Sequence, residues 1–222
     1  EICACLVGSE MCIRDSKSRA QSSLVSAGHS TAVLRAASYA SPMAAFQDGM
    51  AGIAYYQFIE KLDREFDDRK EEIIENLKSL MVEILRPENL CISYTGERES
   101  LDSVQKQIRE LKKTLHQEVT ESSSSEMICQ KKNEGFMTSG QVQYVAQAGN
   151  FRKKGYDYTG ALNILKVALS YDYLWINIRV KGGAYGCMSG FKYSGESFFV
   201  SYRDPHLKRT FDVFAGIPDY VR

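Results

Sequence analysis

The chain has 222 residues, its 28 Lys plus Arg are balanced by 28 Asp plus Glu, and 44% of it is apolar. Zero net charge excludes the one-signed field expected of a nucleic-acid or acidic-membrane binder, and no apolar run approaches the roughly 18 residues of a membrane span. The length suits one large domain or two modest ones, each with its own core, in a soluble α/β or α+β protein.

The six cysteines include no C-x-x-C pair, so neither a zinc ribbon nor a thioredoxin-type motif is supported. Cys91, Cys129 and Cys187 read as reduced thiols, and the expected location is cytoplasmic, or an organelle matrix in a eukaryote. Residues 1–16 do not fit with the rest of the chain. Their string M-C-I-R-D-S reads as an adapter-derived, non-native segment with no part in the fold. With no initiator Met and an end at Arg222 inside a helical pattern, the chain reads as a fragment open at both ends.

Residues 17–40 are Ser/Ala-rich and fit either a short helix or an extended segment. Ser41-Pro42 then signals a helix start, with Ser as N-cap and Pro in the first turn. Met43, Phe46, Met50, Ile53, Phe58, Leu62 and Phe66 come next as one apolar stripe, and Ile73, Leu77, Leu80, Met81 and Ile84 as a second, which Pro87 stops. Leu90 to Thr95 reads as a short strand. From Ser100 a third helix carries Leu101, Val104, Ile108, Leu111 and Leu115. The run T-E-S-S-S-S-E at 120–126 cannot pack and reads as a linker.

Beyond it, the alternation from Gln141 to Ala148 predicts a strand. A helix with a buried stripe of Leu162, Leu165, Leu169, Tyr173 and Ile176 comes after it. Ala184 to Phe191 and Ser197 to Arg203 then form a hairpin, and Asp204-Pro205 caps one more helix.

The stretch W-I-N-I-R-V-K-G-G-A-Y-G-C-M-S-G, residues 175–190, is the chemically suggestive one. A helix ends at Gly182-Gly183 and a strand begins, so Arg179 and Tyr185 flank a glycine hinge and can converge on one ligand. A plainer account stays open. A cation in a last helical turn is favoured by the helix dipole, glycines serve as helix exits, and an aromatic at a strand start can simply pack. The three histidines, His29, His116 and His206, match neither H-E-x-x-H nor H-x-x-E-H. No metal ligand and no catalytic residue is assigned to this chain.

R-V-K-G-G-A-Y-G, preceded by Y-D-Y-L-W and continued by S-G-E-S-F-F-V-S-Y-R-D-P-H-L-K-R-T, resembles the last domain of presequence-protease-like zinc metallopeptidases of the pitrilysin/insulinase group. The earlier A-G-H-S-T-A-V-L-R-A-A-S-Y and M-A-G-I-A-Y-Y-Q-F-I-E agree with it. The resemblance implies an α+β fold of two partial pitrilysin/insulinase-type domains, with mixed or antiparallel sheets and packed helices, truncated at both ends. Residues 17–119 would be the end of a third domain, 120–134 the linker and 135–222 an incomplete fourth.

It further implies a chain that forms the carboxyl-terminal half of a metalloendopeptidase that degrades unstructured peptides in a closed chamber. Arg179 and Tyr185 would be substrate-binding, Gly182 and Gly183 the backbone hinge. The zinc that activates water would be held by an absent amino-terminal half through H-x-x-E-H and a distant Glu. The partners implied are the peptide and that half, and the fragment alone would be inactive. A non-catalytic partner or structural subunit of a peptidase-like complex is the alternative.

Overall fold

The computed structural model describes residues 2–117, 127, 129–138 and 140–222, with side chains from residue 10 onward. The fold is α+β. Most of the expected linker, 120–126, lies outside the described residues. The chain forms two compact units, one of Glu1–Asp63 with Glu126–Arg222 and one of Arg64–Ser125.

The first unit is built on a three-stranded antiparallel sheet in the order β1-β3-β2, from β1 (Ala146–Asn150), β2 (Gly186–Phe191) and β3 (Glu196–Tyr202). Ala146 faces Val200 and Gly186 faces Tyr202. The hairpin is where the alternation predicts it, whereas the first strand begins later than Gln141. Before it, Gln143 forms only an isolated bridge with Asp204.

Alternation along β3 sends Phe199 to a face shared with Cys187 and Phe191. These pack with Val145, Leu169, Leu174, Ile178, Ala184, Phe214 and Ile217 into the main core. Phe198 and Val200 point the other way, towards α2 (Gly28–Ser38), and with Val33, Leu34 and Met188 they line a cavity of about 280 Å³. Helices thus cover both faces of the sheet. Residues of the expected third-domain piece pack on the strands of the expected fourth, so the compact units do not follow a division at 120–134.

Residues 17–40 are helical, in α1 (Ile2–Ser26) and α2. The segment expected to be non-native is part of α1, where Arg14 pairs with Glu10 and, with Lys17, approaches Asp63. The expected helix from Pro42 is two, α3 (Pro42–Ala51) and α4 (Ile53–Arg64), parted at Gly52. Its buried face is not the apolar stripe. Met43, Phe46, Met50 and Phe58 are exposed, whereas Ala44, Asp48, Ile53 and Ile59 are buried. The reason is ionic: the Asp48 carboxylate pairs with Arg35 at 2.7 Å and accepts the Ile53 N–H at 2.9 Å, which turns that face inward.

Ser41 caps α3 as its sequence suggests, and its hydroxyl does two jobs. It accepts from the Ala44 N–H at 3.3 Å and donates to the Glu196 carboxylate at 2.6 Å, tying the helix start to the start of β3. Lys192 closes the same carboxylate at 2.7 Å. Burial acts to raise the Glu196 pKa, but the hydrogen bonds from Lys192 and Ser41 prevail and hold it below the usual carboxylate value. The unfolded chain therefore binds the proton more readily, and this stabilisation, present at neutral pH, is lost as pH falls through the acid range. Glu196→Gln is expected to flatten the decline of the urea midpoint between about pH 5 and pH 3. A decline as steep as the parent's would contradict it.

The second unit carries α5 (Phe66–Ile84) and α6 (Leu101–Thr114). Asn89 Nδ2 donates to the Glu83 and Ile84 carbonyls and satisfies the end of α5. The Leu77, Leu80, Met81 and Ile84 stripe is exposed. Leu90 to Thr95 is not a strand: Cys91 to Thr95 are exposed, and no ladder among the described residues includes them.

After β1 come α7 (Ala161–Ala168) and then a π-helix, Leu169–Val180, with β2 across the turn from it. Wider i→i+5 turns change which residues face the core. Leu169, Leu174 and Ile178 are buried, while Ile176, expected in the buried stripe, is exposed. Past β3, α8 (Lys208–Ala215) and α9 (Ile217–Val221) complete the unit. Asp204 does not sit at the N-cap of α8, which is Leu207. It anchors the entry instead, accepting from the His206 N–H at 2.8 Å and the Thr210 hydroxyl at 2.6 Å.

Candidate functional site

The π-helix ends in a glycine turn that aims the candidate residues. Lys181 N–H still donates to the Ile176 carbonyl, five residues back. Then Gly183 N–H bonds the Arg179 carbonyl at 2.9 Å and Ala184 N–H bonds that of Ile178 at 3.1 Å. This nested pair resembles the usual glycine exit of an α-helix, widened by one residue. Gly183 has φ 77°, a left-handed conformation that suits glycine, and a Cβ on Gly182 would collide with the Ile178 carbonyl oxygen. Both glycines are therefore required by the turn itself.

Arg179 lies in the last turn of the π-helix and Tyr185 one residue before β2, held by its N–H to the Tyr202 carbonyl at 3.0 Å. The turn brings them together: the Arg179 guanidinium carbon is 5.6 Å from the centroid of the Tyr185 ring. It lies closer still to Trp175, 4.1 Å above the indole. No carboxylate among the described residues pairs with Arg179. Tyr185 is 65% exposed and rests edge-on against Tyr202, at 5.8 Å and 63°.

The aromatic contact continues inward. Tyr202 meets Tyr144 at 5.7 Å and His29 at 5.0 Å. The sequence did not point to Trp175, Tyr202, Tyr144 or His29 as neighbours of the pair. For Trp175 a signal existed in its four-residue spacing to Arg179, but the others depend on strand register. Cys187 is close enough for Arg179 to favour its thiolate, yet burial dominates and pushes the thiol pKa up to about 11. It stays protonated at neutral pH and is unsuited to nucleophilic chemistry.

A free guanidinium fork and a phenol on an exposed corner can together donate hydrogen bonds to carbonyl oxygens. A zinc ion does not fit here: the described residues include no group of three His, Cys, Asp or Glu side chains that could hold one. His29 lies among rings, its Nδ1 buried and without a hydrogen-bond partner.

Residues 133–222 match the family described as the PreP C-terminal domain, and residues 10–62 match the peptidase-associated family of the same group. The chain therefore belongs to the presequence-protease-like peptidases. Both stretches fall in the first compact unit, and the second match begins inside the segment expected to be non-native. Among curated relatives, the chain is 36% identical to Protein HypA of Clostridium perfringens over 209 residues, which is 94% of this chain and 21% of that one. It is 31% identical to the mitochondrial presequence protease of Kluyveromyces lactis over 225 residues, covering 94% and 22%. Presequence protease 1, chloroplastic/mitochondrial, of Arabidopsis thaliana is 28% identical over 216 residues, covering 95% and 20%. The chain thus spans about a fifth of the length of these relatives.

Proposed function

We propose that this chain is the substrate-binding, carboxyl-terminal part of a zinc metalloendopeptidase that degrades unstructured peptides inside a closed chamber. Arg179 binds the peptide backbone through its free N–H edges, and Tyr185 donates its hydroxyl to a peptide carbonyl as charge develops on it. Zinc belongs to the amino-terminal part, so this chain alone binds peptide without cleaving it. The compartment is intracellular, an organelle matrix in a eukaryote. The observation that carries this reading is the pairing of an unneutralised guanidinium with an exposed phenol across the glycine turn.

Binding of a fluorescent unstructured peptide to the purified chain tests it. Arg179→Ala is expected to weaken affinity by at least about 10-fold, the loss of charge-assisted hydrogen bonds, and the peptide should be recovered intact after incubation with zinc. Equal affinities would overturn the role of Arg179, and cleavage would overturn the inactivity of the chain.

A further inference from the structure

Arg179 differs from Arg35 of the same unit in what holds it. Arg35 is fixed by two carboxylates, which occupy its N–H groups. Arg179 has aromatic faces instead, with Trp175 at 4.1 Å and Tyr185 at 5.6 Å. A ring engages the face of a guanidinium and leaves the in-plane N–H edge available, whereas a salt bridge consumes that edge. For a residue that must present its fork to a peptide, stacking is the restraint compatible with function.

We propose that Trp175 is the positioning residue for Arg179, holding its guanidinium in the orientation that receives peptide. This rests on the reading of Arg179 as a peptide-binding residue. Trp175 is suited to the task by its place: it lies on the same π-helix, four residues before Arg179, so one rigid element sets both side chains. The indole is half-buried at 37% exposure, so it is itself restrained while its face remains open to the cation. An unrestrained arginine would have to lose its rotamer freedom each time a peptide bound. The stacked one has lost most of it beforehand.

The test uses the chain itself, an unstructured fluorescent peptide, and the variants Trp175→Phe, Trp175→Leu, Arg179→Ala and the Leu/Ala double variant. Trp175→Leu is expected to weaken binding about 5-fold, in line with a partly exposed cation–π contact. Trp175→Phe should recover most of that, and the Leu substitution should add nothing in the Arg179→Ala background. A direct readout needs no peptide. The Arg179 Nε–H proton resonance is expected upfield in the parent, shifted by the indole ring current, and back at its ordinary position in Trp175→Leu.

If Arg179→Ala weakens binding but Trp175→Leu does not, or if the resonance is unshifted in the parent, the positioning role is overturned. If the two substitutions weaken binding additively, Trp175 acts by itself and not through Arg179, which also overturns it. If Arg179→Ala leaves binding unchanged, the reading of Arg179 fails and this inference fails with it. Loss of fold in Trp175→Leu would show in the remaining amide resonances, and the comparison of Trp175→Phe with the parent then decides. A Phe variant that keeps both the affinity and a shifted resonance supports the role, and one that keeps the affinity without the shift contradicts it.

Discussion

Replacing Tyr185 with Phe is expected to lower kcat about 100-fold or more in a chimera that carries this chain in place of the matching fifth of the Kluyveromyces lactis presequence protease. The ring contributes packing and the hydroxyl contributes chemistry, and this substitution separates them. Phe keeps the edge-on contact with Tyr202 and the face presented to Arg179, and the backbone bond to the Tyr202 carbonyl does not depend on the side chain. Only the O–H donor is lost. If that donor acts on a carbonyl oxygen as it becomes an oxyanion, its removal costs about 2.7–4 kcal/mol of transition-state stabilisation, hence a fall in kcat with little change in KM. An unchanged kcat/KM would remove Tyr185 from the reaction, and a rise in KM alone would make it a ground-state contact.

The second large effect concerns stability. Arg35→Met is expected to cost about 3–5 kcal/mol, because it strands buried charge. Arg35 Nη1 meets Asp48 at 2.7 Å, and Nε and Nη2 meet the two Glu134 oxygens at 2.8 and 3.2 Å. Tyr39 donates to Glu134 as well, and the Tyr39 and Phe136 rings lie near the guanidinium. Asp48 is only 2% exposed, so without its cation it must remain charged in a dry site or take up a proton.

Urea unfolding measures the loss, and Arg35→Met with Asp48→Leu should recover part of it by removing the stranded carboxylate. The hydrogen bond from Arg35 is also the main reason the Glu134 pKa lies below its ordinary value. That contribution is present at neutral pH and fades on acidification, so the deficit of the variant should shrink as pH falls. A cost below about 1 kcal/mol would mean that the network contributes little net stability.

How much of this was legible from the chain depends on which physics decides each element. Ser41-Pro42 and Gly182-Gly183 act locally, through a cap and a left-handed backbone, and both are where the residues place them. The hairpin is legible for the same reason. The buried face of α3 was not, because it is set by an ion pair reaching back to Arg35, and hydrophobic periodicity cannot register a buried Asp. Nor was the absence of a strand at Leu90 to Thr95, where propensity has no ladder to join.

At the candidate site the nearness of Arg179 and Tyr185 could be read from six residues and two glycines. Its surroundings could not. Tyr202 arrives through the register Gly186–Tyr202, and Tyr144 comes from the segment before β1. The stripe ending at Ile176 fails for a different reason: its spacing assumes the steps of an α-helix through a segment that is not one.

The wide helical turns of Leu169–Val180 therefore have an evolutionary consequence. Deleting one residue from this segment would permit ordinary α-helical winding, which is intrinsically the more favourable backbone. Yet it would rotate everything beyond the deletion by about 100° around the axis. A deletion after Trp175 would take Arg179 off the indole, and one before it would turn both away from Tyr185. Lineages in which the pair works together should thus preserve the residue count of this segment more strictly than its side chains, and the length of the gap-free block is the trace to look for in related chains.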